Sequence, residues 1–334
     1  MTATPSWHRL QERGSLLGMR VVVWLYRLVG RRVCGVLILP VIGYFFLTGG
    51  PARRASRRYL ERLHEWSGGR LPRRRRPTWW DGFLHHREFG LNILDRVGFW
   101  LGDTGGVDLV VHGCEHLARL QATGRGAVIV SAHLGSFDAL RLYSVQADVV
   151  VNVVMYLEHA RMINAIFKQL RPEIDLRLLT PNPGSFAWLF RLRDRIASGE
   201  MLGVLGDRVG PHEGRHVSRL SFLGVPARFP QGPFRLAAYL GCPLLLMVGL
   251  RRDHRRYEVF VEPLGAGSSL ASGSSTESVE SLVGAYVSRL ESYCSLAPYQ
   301  WFNFYDFWAE AGGAPAAAQP EIGAAAVGGW EAPR

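Results

Sequence analysis

His133 and Asp138 lie five residues apart in Ser131-Ala132-His133-Leu134-Gly135-Ser136-Phe137-Asp138. Their types suit one kind of chemistry. A neutral imidazole can take the proton of a hydroxyl on one ring nitrogen. A carboxylate on the other nitrogen then fixes the tautomer and stabilises the imidazolium. The hydroxyl so activated can attack a carbonyl carbon, as in acyl transfer to an alcohol. The spacing restricts the geometry, because on a continuous helix five residues fall about 140° apart. The pair meets only if His133 sits in a loop and Asp138 in the first turn of the helix that follows. The residues between favour that bend. Gly135 permits a tight turn, Ser136 is a good helix N-cap, and an acid in the first turn is favoured by the helix dipole. We therefore expect His133 as the base and Asp138 as its partner. No GxSxG nucleophile elbow occurs in the chain, so direct attack on the acyl donor is expected rather than an acyl-enzyme.

The flanking segments must position this loop. Residues 127–131 (AVIVS) form an apolar run of buried-strand type, and residues 137–145 have helical character. His133 thus follows the carboxyl end of a strand, where open α/β sheets bind their ligands. The alternation continues along the chain. Strands are expected at 108–111, 149–155, 176–179, 201–205, 244–249 and 257–261. Helices are expected at 115–123, 159–170, 185–198, 233–240 and 277–295. Strands alternating with helices imply an α/β fold, a mostly parallel central sheet flanked by helices.

A second set of residues comes in a recognisable order: Leu205-Gly206-Asp207-Arg208, then Gly214-Arg215, Phe222-Leu223-Gly224, Phe229-Pro230, and Gly232-Pro233 opening a helix. With HLGSFD this succession resembles the lysophospholipid acyltransferase superfamily, whose signature is His-x4-Asp/Glu. The similarity is greatest to its branch of lipid A late acyltransferases and related bacterial glycolipid acyltransferases, and it runs from the N-terminal apolar segment to about Trp308. The resemblance implies an O-acyltransferase that moves a fatty acyl group from an acyl carrier protein or coenzyme A thioester to a lipid or glycolipid hydroxyl. It implies no other cofactor and no metal. It also implies that Gly135 and Ser136 line the site, and that Asp207, Arg208 and Arg215 hold donor or acceptor phosphates, a task that suits arginine forks. Lipid A enzymes often carry Glu where this chain has Asp138, which leaves the acceptor open: a lysophospholipid or an ornithine lipid stands beside a glycolipid. A catalytically silent membrane scaffold of a biosynthetic complex is the reading from another class, and thioester hydrolysis a further one.

The remaining residues bear on where such an enzyme would sit. The chain has 334 residues, 48% hydrophobic, enough for one sizeable core. Residues 33–47 (VCGVLILPVIGYFFL) are apolar, yet 15 helical residues reach only about 22 Å against a bilayer core of roughly 30 Å. Pro40 and Gly49-Gly50-Pro51 further weaken a straight span. The segment reads as a membrane-embedded or interfacial anchor, with a true span or a buried hairpin as alternatives. Arginines follow it at 53, 54, 57, 58, 62 and 73–76, as expected of a flank that meets anionic headgroups. The net charge is +11, which favours an anionic membrane surface or acidic carrier. No nucleic-acid-binding motif accompanies the arginines, so no nucleic-acid partner is expected. Four scattered cysteines without a CxxC pair suit a reducing compartment. His112 and His116 match an HxxEH zinc pattern, but Gly113 puts a strand–helix boundary between them. The expected location is the cytoplasmic face of a bacterial inner membrane. The aromatic segment 299–308 (YQWFNFYDFW) suits an interfacial belt, the lining of an acyl groove, or core packing. The expected organisation is a membrane-associated region at 1–52, a basic helical linker at 53–107, a catalytic acyltransferase domain at 108–310, and a disordered Ala/Gly/Pro-rich tail at 311–334.

Overall fold

A computed structural model describes residues 16–155, 177–181, 186–210, 216–265 and 278–309. The helix expected at 159–170, Arg215 and the tail at 311–334 lie outside them.

Four helices come first: α1 (Leu16–Leu37), α2 (Leu39–Thr48), α3 (Gly50–Trp66) and α4 (Trp79–Trp100). Gly30 breaks the regularity of α1 with φ 72°, and Pro40 sits in the first turn of α2. Proline tolerates that position because it lacks only an amide that would be unpaired there. Among the described residues no single helix is long and apolar enough to cross a membrane. Arg20–Leu37 and Leu39–Thr48 qualify together, as a pair bent by 43°. Both pack on α4, where glycine lets them approach: a Cβ on Gly98 would lie 2.3 Å from the Tyr26 hydroxyl oxygen. Their opposite faces expose Trp24, Val36, Tyr44 and Leu47. Within the stretch 53–107, Tyr59, Leu60 and Leu63 of α3 join the main core, together with strand residues such as Val128 and Leu246.

The α/β part follows as β1 (Asp108–His112), α5 (Cys114–Ala122), β2 (Val128–Ser131), α6 (Phe137–Gln146), β3 (Val151–Val154), β4 (Leu178–Leu179), α7 (Phe186–Ala197), β5 (Met201–Leu205), β6 (Val217–Phe222), β7 (Val225–Pro230), α8 (Gly232–Leu240), β8 (Leu244–Arg251), β9 (Arg256–Pro263) and α9 (Val279–Leu296). Seven strands form a sheet in the order β1-β9-β8-β2-β5-β3-β4. Every pairing is parallel except β8 with β9, so the sheet is mostly parallel, as the alternation implies. Residues on β2 alternate between two cores. Val128 and Val130 meet Tyr286, Val287, Phe222 and Trp301 on one side. Ile129 meets Leu117, Tyr143 and Leu245 on the other. Each such side chain contributes roughly 1.5–3 kcal/mol on burial.

The hairpin β6–β7 was not among the expected strands. Leu223 and Gly224 both take positive φ, 52° and 76°, the combination that matches the twist of paired strands. Its Phe222 and Phe229 are fully buried, so the hairpin caps the core that holds α9.

Candidate active site

The site forms where β2 and β5 end together. Their register pairs Ser131 with Leu205. Two residues beyond each partner come His133 and Asp207, and the amide of Gly206 donates to Ser131 O at 2.9 Å. His133 Nδ1–H donates to Asp207 Oδ1 at 2.8 Å, and the His133 amide donates to Asp207 Oδ2 at 3.0 Å. Trp301 Nε1 and Asn303 Nδ2 also donate to Oδ2, at 3.1 and 2.8 Å. Asp207 is wholly buried and its carboxylate oxygens are occupied by these four donors. It is therefore engaged inside the site by protein donors, His133 among them, where the resemblance implies a phosphate-holding role.

Asp138 is placed differently from expectation as well. It does lie in the first turn of α6, and Ser136 caps that helix by accepting from the Ala139 amide at 3.2 Å. But α6 begins at Phe137 and turns the Asp138 carboxylate towards α4. There it accepts from Arg96 Nε at 2.9 Å and from Trp100 Nε1 at 3.1 Å. The structure thus pairs His133 with Asp207, and Asp138 with Arg96 and Trp100. Gly135 sits between them with φ 67°, and a Cβ there would lie 2.0 Å from Gly249 O. Its amide donates to Gln300 O at 2.9 Å, while its carbonyl accepts from Asn92 Nδ2 at 2.7 Å. Gly135 and Ser136 are buried and shape the loop.

Arg208 is braced by the C-terminal segment. Its Nε donates to Asn303 Oδ1 at 2.6 Å and its Nη2 to Phe302 O at 3.1 Å, and the guanidinium lies over the Tyr305 ring. Segment 299–308 packs on the core: Trp301 is fully buried, and the amide of Phe302 donates to His133 O at 2.7 Å. Behind Trp301, His85 Nε2–H donates to Trp301 O at 2.9 Å, and Ser56 Oγ lies 2.9 Å from His85 Nδ1. Arg96 and Trp100 are thus residues at this site that the linear sequence did not flag, while Trp301 and Asn303 lie in the aromatic segment already noted. Asp207 stood in the sequence only within the block that carries the resemblance, and its place beside His133 comes from the parallel pairing of β2 with β5.

The electrostatics follow from burial. Desolvation lowers the pKa of His133 and the Arg208 charge lowers it further. Asp207 pulls the other way without reversing the shift. Burial by itself would raise Asp207. His133, Arg208 and the Asn303 hydrogen bond outweigh it and hold the carboxyl well below the usual carboxylate range. At neutral pH the pair is therefore a neutral imidazole on a carboxylate. With Nδ1–H committed to Asp207, Nε2 carries the lone pair that can accept a proton. His133 keeps 23% of its side-chain surface exposed, so this base is open to a substrate.

A family model described as bacterial lipid A biosynthesis acyltransferase matches residues 94–309 of this chain, which take in every site residue above except Ser56, His85 and Asn92. Two curated relatives are phosphatidylinositol mannoside acyltransferases of Mycobacterium tuberculosis, from strains ATCC 25618 / H37Rv and CDC 1551 / Oshkosh. Each is 27% identical over 139 residues, 42% of this chain and 43% of the relative. The match thus spans less than half the length of those relatives.

Proposed function

The chain belongs to the bacterial lipid A biosynthesis acyltransferase family, and on that premise we propose that it moves a fatty acyl group from a thioester to a hydroxyl of a glycolipid. The observation that carries this reading is the contact of His133 with Asp207 at the ends of β2 and β5. The acceptor hydroxyl gives its proton to His133 Nε2 as its oxygen attacks the thioester carbonyl. Asp207 keeps the proton on Nδ1 and stabilises the imidazolium. On collapse the C–S bond breaks, and the imidazolium returns the proton to the leaving thiolate. The acyl group arrives on an acyl carrier protein or coenzyme A, and the basic surface favours either acidic donor. A mannose-bearing phospholipid is the acceptor class named for the curated relatives and is the first to test here. The exposed apolar faces of α1 and α2 beside the arginines of α3 support a seat on an anionic membrane at the cytoplasmic face of the inner membrane.

Comparative lipid mass spectrometry tests the reading. Wild type and His133→Ala are expressed in the producing bacterium with its own copy deleted. We expect a glycolipid heavier by one acyl unit with wild type and not with the variant. Identical lipid profiles from equal amounts of folded protein would refute acyl transfer.

A further inference from the structure

An attack on a thioester carbonyl places negative charge on the carbonyl oxygen, and that charge needs donors. The four loop amides from His133 to Ser136 are all engaged. The amide of His133 goes to Asp207, that of Leu134 to Ala132 O, that of Gly135 to Gln300 O, and that of Ser136 to Gly249 O. Arg208 is engaged by Asn303, Phe302 and the Tyr305 ring. Among the described residues a second arginine, Arg96, acts on His133 by its charge. Arg96 gives its Nε to Asp138 Oδ2 at 2.9 Å, and no other described residue accepts from its two Nη groups. Its side chain is 26% exposed, and its charge is close enough to His133 to lower that imidazole's pKa.

The placement of Arg96 is built from several sides. Asp138 is gripped on its second oxygen by Trp100, one turn along α4. One turn the other way, Asn92 holds Gly135 O at 2.7 Å. Asp95, the neighbour of Arg96, is tied to Arg251 Nε at 2.8 Å and to the Tyr257 hydroxyl at 2.7 Å. The α4 turn that carries Arg96 is thereby fixed to β8 and β9. A carboxylate on Nε also orients the guanidinium fork, so that its free edge is presented in one direction.

We propose that Arg96, oriented by Asp138, meets the oxyanion of the tetrahedral intermediate, and that this is what the acid of the HLGSFD motif is for in this chain. The inference rests on the acyl-transfer reading above. As the acceptor oxygen bonds to the carbonyl carbon, the C=O electron pair moves to oxygen and is met by the Arg96 Nη groups, while the acceptor proton goes to His133. When the intermediate collapses, the pair returns, C–S breaks, and the thiolate takes the proton from His133. The Arg96 charge also contributes to the lowered pKa of His133, as it would if both faced one substrate.

The test uses membranes of the producing bacterium with its own copy deleted, given palmitoyl thioesters of coenzyme A, acyl carrier protein and phosphate-free N-acetylcysteamine. Wild type, His133→Ala, Arg96→Gln and Arg96→Lys full-length proteins are compared. For Arg96→Gln we expect turnover to fall on the order of 10²–10³-fold on all donors, as for other lost oxyanion donors, with the donor KM changed by less than about threefold. Arg96→Lys should recover part of the loss, because it keeps the charge without the fork. The acid limb of the Arg96→Gln pH profile should move to higher pH. Full activity in Arg96→Gln, or a loss confined to the KM of the phosphorylated donors, would overturn the proposal, the latter by making Arg96 a phosphate clamp. Loss of thermal unfolding cooperativity in both variants would overturn it too, by making the Arg96–Asp138 pair a structural tie. If wild type equals His133→Ala on every donor, the acyl-transfer reading itself falls, a result distinct from the others.

Discussion

Asp207→Asn would keep the shape of the side chain and change what it accepts. Oδ2 faces three N–H donors, from His133, Trp301 and Asn303, so the amide oxygen must take that side. The amide nitrogen then faces His133 Nδ1, which has to become the acceptor. The proton moves to Nε2 and the base is lost. We expect turnover to fall about 10³–10⁴-fold in Asp207→Asn, comparable to the wrong-tautomer effect in other His–carboxylate pairs, checked by initial rates on protein of matched secondary structure. The same pair sets a pH dependence. The folded-state pKa of His133 is lowered, so below the ordinary imidazole value of about 6.5 the unfolded chain binds a proton that the folded chain refuses. Stability is then lost as pH falls from that value through the folded one. The acid limb of kcat/KM should likewise lie below about 6.5. A limb at or above it would show that His133 is charged in the free enzyme.

The strand–loop–helix around His133 was legible because a buried apolar run, a glycine and an N-cap serine are all local signals. Its partner was not. Asp207 is 74 residues away and comes near only when β5 lies beside β2 in parallel register, a long-range choice that no local pattern encodes. The hairpin β6–β7 was missed for another reason: Pro226 and Pro230 interrupt β7, and proline argues against a strand. At the level of elements the loop makes a sharp prediction. Gly124 and Gly135 share nearly the same φ, 63° and 67°, but a Cβ at Gly124 meets nothing within 4 Å whereas one at Gly135 meets Gly249 O at 2.0 Å. Gly124→Ala should cost only the conformational penalty of about 1–2 kcal/mol. Gly135→Ala should cost clearly more and displace the loop that carries His133, so activity falls with stability. Urea denaturation of both variants measures the difference, and equal midpoints would mean that β8 yields without cost.

On the scale of the molecule, an acyl acceptor dissolved in a bilayer requires the site to reach the bilayer. The helices before the sheet offer one side for this. α1 and α2 bury Val23, Tyr26, Ile42 and Phe46, while Trp24, Val36, Tyr44 and Leu47 remain 60–65% exposed. Such a surface is far more apolar than solvent-facing helices usually are. The two contributions to membrane binding separate with salt. Charge attraction from the arginines is screened within about 10 Å at 0.1 M, whereas apolar insertion is not. We expect the full chain to sediment with vesicles of equal phosphatidylglycerol and phosphatidylcholine, and to remain largely bound when salt is raised from about 0.05 to 0.5 M. Replacing Trp24, Tyr44 and Leu47 together by Ser should lower the partition coefficient at least tenfold, about 1.4 kcal/mol, and make the remaining binding salt-sensitive. If the triple variant binds as well as wild type at high salt, α1 and α2 are not the seat, and another face must bring His133 to the lipid.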